Sequence, residues 1–415
     1  MLYNLGIAAY SLAIRLAAPL NEKAALLSKG RKEVEARMQA IERGKGRLVW
    51  FHAASLGEFE QGRPVMEMLK QREPETKILL TFFSPSGYEI RKNYAGADYI
   101  LYLPADTPRN AARFVEHFHP DAALFVKYEF WYNYLHELYK RRIPIYLISA
   151  IFRPEQPFFK RWGSLHRQML RFFDCLYVQD ETSVKLLQSI GISTTRLTGD
   201  TRFDRVKQIA DSGKEIEKVR LFCNGQPTVV CGSTWPPDED ILMDYLNGYT
   251  GDYKWILVPH EIGENHLKSI EGKCRKKILR YSSTETAPQE YEVLLIDTIG
   301  LLSSIYRYGQ IAYIGGGFGV GIHNTLEAAV YGIPVLFGPK YKKFKEAVRL
   351  LEEGGAFSVH SKEELQEVLH SLMEHPEIAK AAGSKALEYV DSQLGATRII
   401  LQQLGSRKPL SPSSF

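Results

Sequence analysis

Cysteine, sequence repeats and long hydrophobic runs are all scarce in this 415-residue chain. The four cysteines, Cys175, Cys223, Cys231 and Cys274, form no C-x-x-C pair and no cysteine–histidine array with metal-ligand spacing. This excludes a disulfide framework and a zinc-finger type of site, and it indicates reduced thiols in a cytoplasmic compartment. No internal repeat or low-complexity segment occurs, which excludes a solenoid architecture.

A large excess of charge of one sign is also lacking. The chain has 53 basic and 48 acidic residues, a net charge of +5, and its Lys and Arg are spread along the sequence. No nucleic-acid partner is therefore indicated. A content of 45% hydrophobic and 24% charged residues is that of a globular protein. The length predicts two domains of about 200 residues each.

The N-terminus carries an apolar run, residues 5–14, that is short for a transmembrane helix. Arg15 interrupts the run, and its uncharged start argues against a secretory signal. Eight basic residues and four glutamates lie between the run and residue 47. We predict a membrane-proximal segment over residues 1–46, in which residues 1–20 form a membrane-surface helix or weak anchor on the cytoplasmic side. The alternative is a first helix packed on the protein itself.

From residue 47 onward, short apolar strands alternate with helical stretches. The predicted strands are LVWFHAA, KILLTFF, ADYILYLP, DAALFVKY, PIYLISA, CLYVQD and STTRLTGD, then TVVCGST, KWILVPH, EVLLIDT, QIAYIGG and IPVLFGP. Helices are predicted over residues 60–72, 108–118 and 131–141, and a charged helix over 206–222 separates the two series. The pattern predicts an α/β fold of two doubly wound, Rossmann-like domains, residues 47–205 and 206–404. Residues 405–415 are predicted to be a disordered tail.

A strand, a glycine-rich turn, a helix and another strand follow one another over residues 313–339. Glycines let backbone N–H groups approach a ligand closely, and the start of a helix adds unpaired N–H groups. This segment therefore predicts a phosphate-binding site. A carboxylate one turn into the helix could bond a ribose. The alternative is a capping box, Asn324-x-x-Glu327, which needs no ligand. The candidate donor contacts are Gly315, Gly316, Gly317, Asn324 and Glu327.

Two turns of the first domain carry candidate acids and bases. Glu58 opens a helix after small residues that leave room for a substrate, and it could accept a proton from an attacking hydroxyl. Ser55-x-x-Glu58 is also a possible capping box. Lys127 and Glu129 lie at the end of the candidate strand DAALFVKY, either as site residues or as a solvated ion pair.

Two turns of the second domain carry candidate donor contacts. Ser233 and Thr234 end one strand and suit a contact with a phosphate or base. Pro259 and His260 end the next strand, although a lone histidine at a strand end is more often a polar surface residue.

Taken together, seven motifs resemble the 3-deoxy-D-manno-octulosonic acid (Kdo) transferase family of lipopolysaccharide assembly. They are HAASLGE, KYEFWYN, GDTRFD, GST, VPHE, DTIGLL and GGGFGVGIHNTLEAA…GIPVLFGP, in order over residues 47–356. The resemblance implies the glycosyltransferase B architecture, two domains facing a cleft with the acceptor in the first and the nucleotide in the second. It also implies a metal-independent, inverting transfer of Kdo from CMP-Kdo to the lipid A precursor at the inner membrane, without a cofactor.

The resemblance assigns roles to individual residues. It implies that Glu58 is the base and that Glu129 to Asn133 form a second acidic motif, with Tyr132 where the family often has proline. It places Gly316, Gly317, Asn324 and Glu327 in the CMP-binding part.

The chain departs from the family pattern at its cations. The family's PRH appears as Pro259-His260-Glu261, so an arginine expected to face the phosphate is missing. GN-x-KFD appears as GDTRFD, which keeps a cation at Arg202, and NAR-x-S appears as SAIFRPE, which leaves Arg153 as the nearest cation. Arg202, Lys127 and Ser55 are therefore the candidate contacts to phosphate or carboxylate groups.

The expected mechanism is a direct displacement. CMP leaves towards the glycine turn and Asn324, and Glu58 removes the proton of the lipid hydroxyl. Two rival functions remain open: a nucleotide-sugar epimerase of the same architecture, and a non-catalytic nucleotide-sugar-binding protein.

Overall fold

A computed structural model describes residues 2–213 and 215–405, and it divides into two α/β units. The first unit is Met1–Arg205 together with Leu394–Phe415, and the second is Val206–Gln393. The division after Arg205 coincides with the predicted boundary. The predicted end of the second domain at residue 404 is wrong, because the chain returns to the first unit at Leu394. From residue 406 on, the predicted disordered tail lies outside the described residues.

The first unit contains one parallel sheet of seven strands in the order β3-β2-β1-β4-β5-β6-β7. Every strand was predicted, and most are short apolar runs buried on both sides, as parallel strands between helices must be. The strands are β1 Leu48–Ala53, β2 Lys77–Phe82, β3 Tyr99–Tyr102, β4 Ala122–Val126, β5 Ile145–Ala150, β6 Cys175–Val178 and β7 Thr195–Leu197.

Helices cover both faces of this sheet. Trp50 and Phe51, neighbours in β1, enter two different core clusters, because successive strand residues face opposite sides. The helices are α1 Leu2–Ala17, α2 Glu22–Gln39, α3 Leu56–Arg72, α4 Pro85–Arg91, α5 Pro108–Phe118, α6 Tyr132–Lys140, α7 Ser164–Leu170, α8 Glu181–Gln188 and α9 Thr201–Ser212, with a 3₁₀ turn at Pro157–Phe159.

The second unit repeats the plan with a parallel sheet in the order β10-β11-β9-β8-β12-β13-β14. Its strands are β8 Thr228–Thr234, β9 Lys254–Pro259, β10 Ile278–Arg280, β11 Val293–Leu295, β12 Ile311–Ile314, β13 Val335–Phe337 and β14 Ala356–Ser358. Its helices are α10 Glu217–Cys223, α11 Pro236–Gly248, α12 Glu264–Lys273, α13 Leu302–Ile305, α14 Leu326–Ala329, α15 Lys345–Glu352, α16 Lys362–Glu374 and α17 Pro376–Ser392, with 3₁₀ turns at Pro288–Glu290 and Tyr306–Tyr308.

Three predictions for the second series differ from the structure. The sequence did not predict β10 and β14, which are three-residue strands at the two edges of the sheet. The single helix predicted over residues 206–222 is wrong, because α9 ends at Ser212 and α10 begins at Glu217. The polar stretch between them has no apolar side chain before Ile216 to pack on a core.

The last helix, α18 (Ala396–Gly405), belongs to the first unit. Its side chains Ile400, Leu401 and Leu404 are buried in the same cluster as Phe59 and Val65 of α3. The carboxylate of Asp204 accepts the backbone N–H groups of Gly395 and Thr397, both at 2.7 Å, which caps the start of α18.

The N-terminal segment is part of the first unit rather than a separate piece. Leu27, Val34 and Met38 of α2 are buried, and α1 packs on the unit through one side only. The hydroxyl of Tyr3 donates to Asp106, and Asn133 Nδ2 donates to Asn4 Oδ1 at 2.9 Å. In the part of the chain described, no helix combines the length and apolar character needed to cross a membrane.

The opposite side of α1 carries exposed leucines. Leu2, Leu5, Leu12 and Leu16 are all more than half exposed and fall on one face of a helix with 3.6 residues per turn. Thus α1 is packed on the protein through one face, as the alternative prediction had it, and presents an apolar face to the outside.

Both sheets are doubly wound, which confirms the predicted fold class. The strand order reverses on the two sides of β1 in the first unit and of β8 in the second. In open sheets of this kind, ligands bind outside the carboxyl ends of the strands at the point of reversal. The two expected ligand-binding positions are therefore the ends of β1 and β4 and the ends of β8 and β12.

Candidate functional site

Glu58 lies just beyond the end of β1, in the first turn of α3. Its Oε2 accepts a hydrogen bond from the hydroxyl of Ser55. Ser55 is the N-cap residue of α3, but within the described chain its side chain accepts no helix N–H. The capping box considered for these two residues is therefore not formed. The pair is instead a hydroxyl–carboxylate contact at the reversal point, with Glu58 partly exposed.

Glu129 lies beyond the end of β4 and is buried. Trp131 Nε1 donates to Glu129 Oε2 at 2.7 Å, and His52 Nε2 lies 2.9 Å from the same oxygen. On its other side, His52 Nδ1 lies 2.8 Å from Thr81 Oγ1. If the Thr81 hydroxyl donates to Nδ1, the ring carries its proton on Nε2 and donates to Glu129. Two rings thus fix the position of this carboxylate.

Lys127 does not pair with Glu129. Its backbone has φ +68°, a left-handed conformation that is uncommon outside glycine, and its N–H donates to the Ile148 carbonyl at 2.9 Å. Its Nζ lies 5.7 Å from the centre of the Tyr128 ring. Among the ion pairs of the described residues there is none between Lys127 and Glu129, so the solvated pair considered as an alternative is not formed.

Arg153 and Arg202 are the other predicted cations of this unit. Burial raises the pKa of Tyr128, Arg153 lowers it and Glu58 raises it, so Arg153 and Glu58 act on the same phenol. Arg202 is paired within the protein, since its Nε donates to Asp200 Oδ2 at 2.8 Å. Of these two arginines, Arg153 is therefore the one that acts on the same phenol as Glu58.

In the second unit, the buried carboxylate of Asp238 accepts hydrogen bonds from several groups around the predicted phosphate-binding site. Asp238 Oδ2 accepts the Gly316 N–H at 2.8 Å and the Trp235 N–H at 3.0 Å, while Oδ1 accepts the Tyr313 hydroxyl at 2.9 Å. The Gly315 N–H donates to the Gly232 carbonyl at 2.9 Å. Two of the three predicted glycine donors are thus already engaged inside the protein.

Close packing of backbones explains why these positions are glycine. A Cβ on Gly315 would lie 2.3 Å from the Ser233 carbonyl oxygen, and one on Gly317 would lie 2.5 Å from the Gly338 nitrogen. Gly316 has φ +90°, which L side chains rarely adopt. The glycine turn is therefore the place where the ends of β8, β12 and β13 approach one another, whatever it binds.

Asn324 and Glu327 are held together ahead of a short helix. The Asn324 Oδ1 accepts the Leu326 N–H at 3.1 Å, and its Nδ2 donates to Glu327 Oε1 at 3.0 Å. The helix predicted to begin at Asn324 begins at Leu326 and has four residues, so its dipole contributes less than expected. The predicted reciprocal capping box is replaced by a side-chain to side-chain bond that fixes the Glu327 carboxylate.

Ser233 and Thr234 end β8, and Pro259 ends β9 beside them. Ser233 has φ +54°, and the buried Thr234 Oγ1 donates to Glu239 Oε1 at 3.0 Å. Together with the glycine turn after β12, these residues lie at the ends of three adjacent strands. The structure thus brings the predicted donor contacts to one edge of the sheet.

Three rings stack above this edge. Trp235 Nε1 donates to His323 Nε2 at 2.9 Å, and these two rings are nearly coplanar, at 9°. His260, which is exposed, stacks on both, with centroid distances of 4.7 Å to Trp235 and 4.4 Å to His323. Burial, followed by the nearby His260, lowers the pKa of His323. His260 is thus not a lone surface histidine, because it is one of three rings that stack on one another.

The sequence did not predict that Trp235, Asp238 and His323 lie at this edge of the second sheet. It also did not predict that His52 contacts Glu129. The signal for Trp235 and Asp238 is their place directly after the strand end at Thr234. His323 adjoins Asn324 and could have been included on that ground. Among the described residues, no group of three or more His, Cys, Asp or Glu side chains could hold a metal ion.

Solved structures define the class of fold. The UDP-GlcNAc 2-epimerase from Neisseria meningitidis, bound to UDP-GlcNAc, matches with a TM-score of 0.61 at 18% identity, covering 86% of this chain and 99% of that one. MurG of Acinetobacter baumannii matches with a TM-score of 0.56 at 13% identity, covering 86% and 99%. The chain therefore has the fold of glycosyltransferase B type transferases and epimerases.

Sequence comparison then defines the family. The family described as 3-Deoxy-D-manno-octulosonic-acid transferase (kdotransferase) matches residues 31–205. The 3-deoxy-D-manno-octulosonic acid transferase of Aquifex aeolicus is 31% identical over 342 residues, covering 81% of this chain and 88% of the relative. The chain belongs to the 3-deoxy-D-manno-octulosonic acid transferase family. The predicted family and the predicted enzyme class, a glycosyltransferase, are confirmed.

Proposed function

We propose that this chain transfers Kdo from CMP-Kdo to a hydroxyl of the lipid A precursor, lipid IVA, with inversion and without a metal ion. The observation that carries the proposal is the position of the chemical groups. Glu58 and Glu129 lie at the reversal point of one doubly wound sheet, and the predicted donor contacts lie at the reversal point of the other. A transferase needs such a separation because its two substrates are recognised separately.

The first unit is the proposed acceptor domain, with Glu58 as the base. The acceptor hydroxyl attacks the anomeric carbon of Kdo, the bond from that carbon to the phosphate oxygen breaks, and the hydroxyl proton passes to Glu58. Attack opposite the leaving CMP inverts the anomeric centre. Glu129, fixed by His52 and Trp131, supplies a positioned carboxylate beside this chemistry.

The second unit is the proposed CMP-Kdo domain. Glu327, oriented by Asn324, is placed to accept hydrogen bonds from the ribose hydroxyls. Ser233, Gly317 and the exposed His260 are the proposed contacts for the single phosphate, whose growing charge they would stabilise. Gly315 and Gly316 shape the turn, because their N–H groups are engaged elsewhere.

The proposed location is the cytoplasmic face of the bacterial inner membrane, with the protein peripheral or weakly anchored. The exposed leucines of α1 support this, since they form one apolar face beside the basic helix α2. Apolar burial and attraction to anionic lipids act together in such a segment.

The deciding experiment incubates the purified protein with CMP-Kdo and lipid IVA, with and without a chelator, and measures the product by mass. We expect Kdo-modified lipid at a rate that the chelator leaves unchanged. Glu58→Gln should lower turnover by roughly two to four orders of magnitude, the usual contribution of a general base, with CMP affinity unchanged in calorimetry.

Ser55→Ala is the matched control, because it removes the hydroxyl that contacts Glu58 and leaves the carboxylate. It should reduce turnover far less than Glu58→Gln. Turnover of Glu58→Gln within a few-fold of the parent would remove Glu58 from the mechanism. Isomerised donor without transfer would point to the epimerase, and CMP binding without turnover to the binding protein.

A further inference from the structure

Arg31, on α2, lies beside two aromatic rings, Phe83 and Tyr10, that stack on each other with centroids 6.0 Å apart. Its guanidinium carbon lies 4.9 Å from the centre of the Phe83 ring and 5.9 Å from that of Tyr10. Phe83 follows the end of β2 and stacks on Trp131 at 4.6 Å. Because Trp131 donates to Glu129, Arg31 lies at the strand-end edge of the sheet, separated from Glu129 by the stacked rings of Phe83 and Trp131.

The guanidinium of Arg31 has no anionic partner within the described residues. Its Nε is buried without a hydrogen-bond acceptor. The acids of the neighbouring elements are engaged elsewhere: Glu33 with Arg37, Glu35 with Arg113, and Asp106 with Tyr3. Burial lowers the pKa of Arg31, which measures the cost of keeping this charge out of water.

Other partly buried arginines of the unit differ from Arg31 in this respect. Arg47 pairs with Glu73 at 2.5 Å, Arg63 with Glu67 at 2.6 Å, and Arg141 with Glu137 at 2.7 Å. An unpaired, partly buried guanidinium is costly for stability and therefore points to a ligand that completes it.

Two neighbouring features indicate the class of that ligand. Tyr10, which lies beside Arg31, belongs to α1, whose opposite face exposes leucines to the outside. On α2 itself, Lys29 and Lys32 are exposed and form no ion pair among the described contacts. An apolar surface beside clustered positive charge suits an anionic amphiphile.

We propose that Arg31 binds a phosphate group of a lipid headgroup, with the stacked rings of Phe83 and Tyr10 packed beside its guanidinium. A planar guanidinium presents two parallel N–H donors to phosphate oxygens, which an ammonium cannot do. The inference rests on the proposed function, which supplies a lipid acceptor at this edge. The inference adds a lipid headgroup site to the proposed base, Glu58, and to the proposed CMP-Kdo contacts of the second unit.

Flotation with vesicles tests this site on the full chain. The vesicles contain phosphatidylcholine with either phosphatidic acid, a phosphate monoester, or phosphatidylserine at matched surface charge. The parent should prefer phosphatidic acid. Arg31→Gln should weaken binding to phosphatidic acid by about tenfold or more, the scale of a hydrogen bond to a charged group, and abolish the preference. Lys32→Gln, with the same charge change on the same helix, should weaken both bindings alike and keep the preference.

Two further arms make the test decisive. Arg31→Lys keeps the charge without the fork and should also lose the preference, which decides the matter if Arg31→Gln does not fold. Competition by inorganic phosphate would show that the phosphate group suffices, and its failure to compete would show that the lipid is needed; both support the site. Equal behaviour of the Arg31 and Lys32 variants, or a parent without preference, would overturn it.

Measuring both Kdo transfer and vesicle binding on the same protein separates this inference from the proposed function. If the parent transfers Kdo but Arg31→Gln keeps its preference for phosphatidic acid, the headgroup site is wrong and the transferase stands. If no acceptor is modified while the preference depends on Arg31, the site stands and the proposed acceptor chemistry fails.

Discussion

At the scale of single residues, two of the candidate site residues are held by partners far away in sequence. Glu129 is fixed by His52, 77 positions earlier, and Gly316 by Asp238, 78 positions earlier. A local motif identifies candidate residues such as Glu58 and Glu327. It does not predict which groups remain available, because that depends on such distant contacts.

His323 provides a prediction of pH dependence. Its pKa is lowered in the folded protein, so the unfolded chain binds this proton more tightly than the folded one. Stability owed to this group is present above the unfolded pKa of about 6.5 and is lost as the pH falls towards the folded value. Protonation of Nε2 also removes the acceptor of the Trp235 bond.

We therefore expect the second unit to lose stability on acidification below about pH 6.5, with a change in Trp235 fluorescence at the pKa of His323. NMR titration of the imidazoles measures that pKa directly. The groups facing His323 are His260, which lowers its pKa, and Asp238, which raises it. His260→Ala should raise the pKa of His323, and an unchanged pKa would disprove the coupling.

At the scale of elements, the strands were predictable and the loops between them were less so. Runs such as LVWFHA and IYLISA are mostly apolar, with one polar residue each. Short runs of this kind that alternate with helices are typical of parallel strands buried on both faces. Three-residue edge strands such as β10 and β14 carry too little periodicity to be found. The sequence predicted the glycine turn as a place where N–H groups approach a ligand. It did not predict that the backbones of neighbouring strand ends pack closely there, because contacts between distant segments cannot be read from a local sequence.

A substitution at Gly317 tests whether close packing of backbones is the reason for glycine in this turn. A Cβ there would lie 2.5 Å from the Gly338 backbone nitrogen, a contact that no side-chain rotation relieves. Gly317→Ala should lower the free energy of unfolding by about 1–3 kcal/mol, the usual cost of overpacking. In Gly319→Ala the nearest atom is 3.5 Å away, so this control should change stability little. Denaturant titration compares the two, and equal stabilities would mean that the turn relaxes freely.

At the scale of the whole molecule, the second unit is inserted between two parts of the first. The chain leaves the first unit after Arg205 and returns at Leu394. The return helix α18 buries Ile400, Leu401 and Leu404 against the first unit, at about 1.5–3 kcal/mol for each side chain. That sum is comparable with the whole stability of a typical domain.

Deletion of residues 394–415 should therefore unfold the first unit and leave the second folded. Hydrogen exchange followed by mass spectrometry should show lost protection in β1 to β7 and retained protection in β8 to β14. Deletion of residues 406–415 alone, which leaves α18 in place, is the control. Retained protection in β1 to β7 after the longer deletion would show that α18 is dispensable.

The insertion also sets an order of events during synthesis. A ribosome makes the seven strands of the first sheet before the second unit, but it adds α18 only after the second unit has been made. The second unit is complete by Gln393 and can fold before that moment, since domains generally fold as units. The first-made half of this enzyme is thus the last to mature, and until then the surface of α3 that α18 covers stays open to chaperones.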